Sequence, residues 1–159
     1  MHNKFKNQYS MHSKNKSIDH HLRATWQAVA KMYNEEAAKY DSTMATGFML
    51  LNIDYEKGTP STALGPKMGM EPTSLSRLLK KMEERGLIYR EKNPNDGRGV
   101  LIKLTPFGIE KRETSKESVI KFNDVVKETI PQEKLQHFFE VTNTINELIS
   151  KKSIFKPTT

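Results

Sequence analysis

Between Ile18 and Tyr40 the apolar residues Ile18, Leu22, Trp26, Val29, Ala30, Tyr33, Ala37 and Tyr40 recur at three- and four-residue spacing. That period predicts one amphipathic helix over residues 18–40 with a single apolar stripe. Asp41 and Ser42 suit the N-cap of a second helix, whose run from Met44 to Ile53 is apolar enough to be mostly buried. Thr59 as cap and Pro60 at the first helical position predict a third helix that ends at Gly69. Pro72 and Gly86 bracket a fourth.

Leu87–Glu91 and Val100–Leu104 then read as two strands. The segment between them, Lys92 to Gly99, is rich in Asn, Asp, Pro and Gly, so the pair is expected to be a hairpin with a mobile tip. Thr105 and Pro106 open a charged helix running to about Glu128. Pro131 opens a last one, with Leu135, Phe138, Phe139, Thr142, Ile145, Leu148 and Ile149 along one side. Residues 1–17 have no such period and read as a flexible basic arm, and residues 153–159 as a frayed tail. The expected fold is mainly α with a small β-hairpin.

Composition removes several functions. The 159-residue chain has no cysteine, which excludes disulfides, thiolate zinc sites and thiol redox sensing. No stretch approaches the ~20 apolar residues of a membrane span, and the polar N-terminus lacks the apolar core of a secretory signal. A cytoplasmic location is expected. The net charge of +7 is uneven: residues 67–103 hold nine Lys/Arg against five acids, and residues 1–31 hold six against one. Such blocks suit a polyanion, because bound Lys and Arg release counterions from a phosphate backbone.

The third and fourth segments carry the pattern of a helix-turn-helix. Gly65 falls where the two helices approach and a side chain is expected to clash, Gly69 falls at the turn where a positive φ is needed, and Leu75 follows as the aliphatic anchor. Leu75, Leu78, Leu79 and Met82 form the inward stripe of the fourth helix. Thr73, Ser74, Ser76, Arg77, Lys80 and Lys81 are left on its open face, and hydroxyls with a guanidinium suit phosphates and base edges. The hairpin adds Arg90, Lys92 and Arg98. Asp96 is close enough to Arg98 to hold either its guanidinium or the loop amides, and so to orient the wing. An arginine aimed in this way suits a narrow minor groove.

Ser74-Leu75-Ser76-Arg77-Leu78, Lys81 to Ile88 (KMEERGLI), Asp96-Gly97-Arg98 and Leu104-Thr105-Pro106-Phe107-Gly108, in this order, resemble the MarR family of winged helix-turn-helix regulators over residues 18–150. The resemblance implies a two-fold homodimer on a pseudo-palindromic double-stranded DNA operator, acting as a ligand-responsive repressor. It implies one domain over residues 18–152, with the winged helix-turn-helix at about 43–106 and dimerisation helices at about 18–40 and 106–152. Thr73, Ser74, Ser76 and Arg77 would face the major groove and Arg98 the minor groove. The stripes on the first and last helices also exceed what one small winged domain would cover, and two-fold pairing buries such faces.

The resemblance further implies a small aromatic or anionic effector, for which Arg23, Trp26, Tyr33, Met44 and Phe48 are candidate lining residues; the same side chains also fit plain core. Two features depart from the family pattern: Pro66 inside the third helix, and Ser61-Thr62 where an acidic residue is frequent. Lys4, Lys6, Lys14 and Lys16 in the arm contact DNA, a partner subunit or nothing. No cofactor or metal is expected, since His20, His21 and His137 are not spaced to converge. No catalytic motif is present, so the chain reads as a non-enzyme. The alternative reading is a winged helix that contacts proteins without binding specific DNA.

Overall fold

A computed structural model of the chain describes residues 17–155. The elements run α1 (Ile18–Ala38), α2 (Met44–Asn52), β1 (Thr59–Pro60), α3 (Ser61–Met68), α4 (Pro72–Glu84), β2 (Ile88–Lys92), β3 (Val100–Leu104), α5 (Pro106–Thr129) and α6 (Gln132–Ser150). The chain divides into two compact units after Ser115, within α5. No helix among the described residues is long and apolar enough to cross a membrane.

The first unit is organised by one apolar core. Met49, Leu50 and Ile53 follow from α2, Leu64 from α3, and Leu75, Leu79 and Met82 from α4; Leu87, Ile88, Ile102 and Leu104 close it from the sheet side. Burying a side chain of this size stabilises by ~1.5–3 kcal/mol, so the core fixes which face of α4 turns inward. Leu78 is only half-buried and packs at the edge of this cluster.

Two helix ends, that of α1 and the start of α2, differ from the expectation. Asp41 does not cap α2; it is the left-handed residue (φ 52°) that terminates α1, with its amide on Ala38 O and the Ser42 amide on Ala37 O. The α2 cap is Thr43, whose Oγ1 accepts the Thr46 amide at 3.2 Å. Gly69 (φ 59°) and Gly86 (φ 70°) end α3 and α4 by the same doubly bonded turn. Pro66 is accommodated within α3, in its closing turn.

Thr59 and Pro60 form a short strand, and the helix expected to start at Pro60 starts at Ser61 with Pro60, not Thr59, at its N-cap. Thr59 pairs with Ile102 and Pro60 with Leu101, making a three-stranded antiparallel sheet in the order β1-β3-β2. Pro60 is tolerated because β1 is an edge strand. The Thr59 hydroxyl, buried, accepts the Asp54 amide at 2.8 Å. The hairpin runs one residue later than expected on its first strand, in register Ile88↔Leu104 to Lys92↔Val100.

Gly65 also differs. A Cβ there would lie 3.4 Å from Met70 O and 3.5 Å from a Leu75 methyl, which is ordinary contact and no clash. The close approach is instead at Gly108, where a Cβ would overlap the Leu87 carbonyl. The second unit holds the remainder of α5, and α6, which ends at a left-handed Lys152. The amide and hydroxyl of Ser153 both donate to Leu148 O.

Candidate nucleic-acid interface

With Leu75, Leu79 and Met82 buried, α4 turns Thr73, Ser74, Ser76, Arg77, Lys80 and Lys81 into solvent. Pro72 sits at the first turn of the helix, where its missing N–H leaves no intrahelical bond unmade. Among the described residues Arg77 has no ion-pair partner, and Lys80 approaches Glu84 only at 3.9 Å in full solvent. A pair of that kind contributes ~0–1 kcal/mol and leaves the cation available.

The wing follows directly. Beyond Lys92 the tip is tied internally: the Asn93 amide donates to Gly99 O, the Gly99 amide to Asp96 O, and the Asn95 amide to Asn93 Oδ1. Asp96 Oδ1 accepts the backbone amide of Arg98 at 3.1 Å. Of the two partners open to Asp96, the structure shows the loop amide, and among the described residues the Arg98 guanidinium has no carboxylate partner. Lys92 and Arg98 are both exposed.

Arg90 is in a different situation. Alternation along β2 puts it on the same face as buried Ile88, toward α4, and its Nε donates to Glu83 Oε2 at 3.0 Å. On the opposite face Glu91 holds Lys103 at 2.7 Å, and that hydrogen bond raises the Lys103 pKa above the ordinary lysine value. Two cations of the sheet are therefore paired, Lys103 within the sheet and Arg90 with α4.

The candidate effector residues separate into two groups. Tyr33 is buried on α1 and meets Phe48 of α2 edge-on, ring centroids 5.4 Å apart, with Met44 half-buried one turn before Phe48. Burial raises the Tyr33 pKa above its ordinary value. Arg23 and Trp26 lie two to three turns earlier on α1, in solvent.

A family model described as MarR family matches residues 43–100. The HTH-type transcriptional regulator SarZ of Staphylococcus saprophyticus is 30% identical over 115 residues, covering 69% of this chain and 79% of that protein. The chain belongs to the MarR family. SarZ of Staphylococcus haemolyticus is 30% identical over 95 residues, 60% of this chain and 65% of that one. Among solved structures, S. aureus MepR in a DNA complex superimposes with a TM-score of 0.74 at 17% identity, covering 86% of this chain and 99% of that one. The PcaV transcriptional regulator of Streptomyces coelicolor, in complex with its natural ligand, gives 0.70 at 20% identity, covering 83% and 93%. These likenesses establish a MarR-type winged-helix fold.

Within this MarR-family frame, the residue that reading the sequence did not single out is Glu83. It lies seven positions before Arg90, across the α4–β2 turn. The available signal was the alternation of β2, which places Arg90 and Ile88 on one face. The lysines of the N-terminal arm, Lys4, Lys6, Lys14 and Lys16, lie outside the described residues.

Proposed function

We propose that the protein is a cytoplasmic, sequence-specific regulator of transcription that binds a pseudo-palindromic DNA operator as a homodimer and acts as a ligand-responsive repressor. One observation carries the reading: α4 exposes an unbroken polar and cationic face, Thr73 to Lys81, beside a wing whose Lys92 and Arg98 meet no acid among the described residues. Thr73, Ser74, Ser76 and Arg77 enter the major groove, Lys80 and Lys92 meet phosphates, and Arg98 reaches the minor groove with its backbone steadied by Asp96. Arg90 adds less, because Glu83 holds it.

The homodimer is supported by apolar rows left uncovered in each unit. Ile18 and Trp26 on α1 are 70% and 54% exposed, and on α6 Phe138, Val141 and Ile149 are all more than half exposed. Rows of large side chains at this exposure mark protein contacts. Pairing through α1, α5 and α6, the dimerisation helices of residues 18–40 and 106–152, would bury them. An aromatic or anionic effector would bind near Tyr33 and Phe48, with Met44 beside them and Arg23 and Trp26 recruited from α1. PcaV, solved in complex with its natural ligand, is a precedent for ligand binding in this fold. The role is recognition and not catalysis.

The test is selection of bound fragments from the source genome with the full chain, followed by binding of the selected operator and of random duplex at several salt concentrations. A steep fall of affinity with salt on both, and a preference for the operator that Arg77→Ala erases, is the expected result. A flat salt response with no fragment enriched would overturn the reading in favour of a protein partner.

A further inference from the structure

The recognition helix ends in an arginine that does not point at the interface. Arg85 follows the last residue of α4, and its Nη2 donates to the main-chain carbonyl of Asp41 at 2.5 Å, with the Asp41 carboxylate 3.9 Å away. The two residues are 44 positions apart. They join the C-terminal end of α4 to the corner between α1 and α2.

The backbone is fixed at both ends of this bond. The Arg85 backbone is set by the amides of Gly86 and Leu87 closing onto Glu83 O and Met82 O, and the Gly86 carbonyl is held in turn by Thr105 Oγ1. The acceptor is a backbone oxygen in the doubly bonded turn that ends α1, with Asp41 at φ 52°. The C-terminal pole of a helix is partially negative, and α1 has no basic residue in its own last turn. Arg85 supplies a cation there from another helix. The side chain gives up rotamer freedom to make this bond, but its planar guanidinium meets a carbonyl that cannot rotate, and the bond ties two fixed segments of backbone.

We infer that Arg85 is a positioning residue: it braces α4 against the α1–α2 corner and so sets the separation of the two recognition helices in the DNA-bound dimer. This rests on the dimeric DNA-binding reading above. In such a dimer α1 belongs to the shared scaffold and α4 to the reading head. A brace between them converts the scaffold's two-fold geometry into a fixed half-site spacing, about one turn or 34–36 Å. Thr73 to Lys81 decide what is read, and Arg85 decides where the second copy reads it.

The experiment compares the full-length protein with Arg85→Met, Arg85→Lys and Asp41→Asn on the selected operator, on versions with one base pair added or removed at its centre, and on random duplex. Thermal unfolding is followed in parallel. Arg85→Met is expected to bind the native operator ~10-fold more weakly, to discriminate poorly between the native and altered spacings, and to keep parental affinity for random duplex. Arg85→Lys should recover much of the spacing preference, because an ammonium donates to the same carbonyl. Asp41→Asn should behave as the parent, because the acceptor is main chain and Asn tolerates the left-handed conformation. Parental spacing preference in Arg85→Met would overturn the brace, and so would equal losses on operator and random duplex, which indicate a direct phosphate contact. Should Arg85→Met prove unstable, a folded Arg85→Lys with no spacing preference also overturns it. If the parent protein binds no duplex at all, the DNA reading falls and takes the brace with it.

Discussion

The Arg90 guanidinium lies 3.0 Å from the Glu83 carboxylate, so the strand that opens the wing carries a cation held by α4. Both side chains are about 40% exposed (39% and 41%), and a pair so placed contributes little to stability, ~0–1 kcal/mol. Its consequence is electrostatic. Glu83→Gln should release Arg90 toward phosphate and tighten binding to any duplex. The salt dependence should steepen by up to ~0.9 in log–log slope for one added phosphate contact. Titrations of random duplex at several salt concentrations check this, and an unchanged slope would show that Arg90 does not reach the backbone.

Gly108 is a glycine that the packing requires. A Cβ there would overlap the Leu87 carbonyl, and backbone cannot yield as a flexible side chain does. Gly108→Ala should destabilise the first unit by ~3 kcal/mol or more, by the cost of overpacking. Gly65→Ala should stay within ~1 kcal/mol of the parent, because its Cβ meets only ordinary contacts and alanine favours helix. Denaturant unfolding of both variants gives the comparison.

That reversal shows what could be read from the sequence. The helices, the hairpin, the turn at Gly69 and the inward stripe Leu75–Leu79–Met82 follow from local period and turn chemistry, and the structure has them. Pairing between distant segments leaves no local trace. Thr59-Pro60 has the signature of a helix start, yet Ile102, 43 positions away, claims Thr59 for a strand. Asp41 has the composition of an N-cap, yet the end of α1 uses it first, in a conformation that aspartate tolerates. The exposed face of α4 was legible because its complement is the core. The capture of Arg90 by Glu83 was not, because it depends on where β2 leaves α4.

Thr105 joins the turn that ends α4 to the start of α5. Its Oγ1 accepts the Gly108 amide at 2.9 Å and donates to the Gly86 carbonyl at 2.5 Å. Thr105→Val keeps the shape and removes both bonds, and should cost ~1–2 kcal/mol, the range for a lost helix cap. Thermal unfolding is the measurement.

Arg98 and Asp96 should separate in their effects on the wing. Arg98→Ala removes a cation, so affinity falls and the log–log salt slope drops by about 0.9, most clearly on A/T-rich flanks where the minor groove is narrow. Asp96→Ala leaves the cation but removes the carboxylate that holds the Arg98 amide. Its affinity should fall while the slope stays at the parental value. Equal slopes for all three proteins would remove Arg98 from the contact set.

The most direct measurement is a hydroxyl-radical footprint of the selected operator, taken with the bound stoichiometry. Two copies of the chain per duplex should protect two half-sites on one face of the helix, centred about 10–10.5 base pairs or a whole number of turns apart. A single protected half-site with one copy bound, or protection spread without phase along the fragment, would contradict paired reading heads.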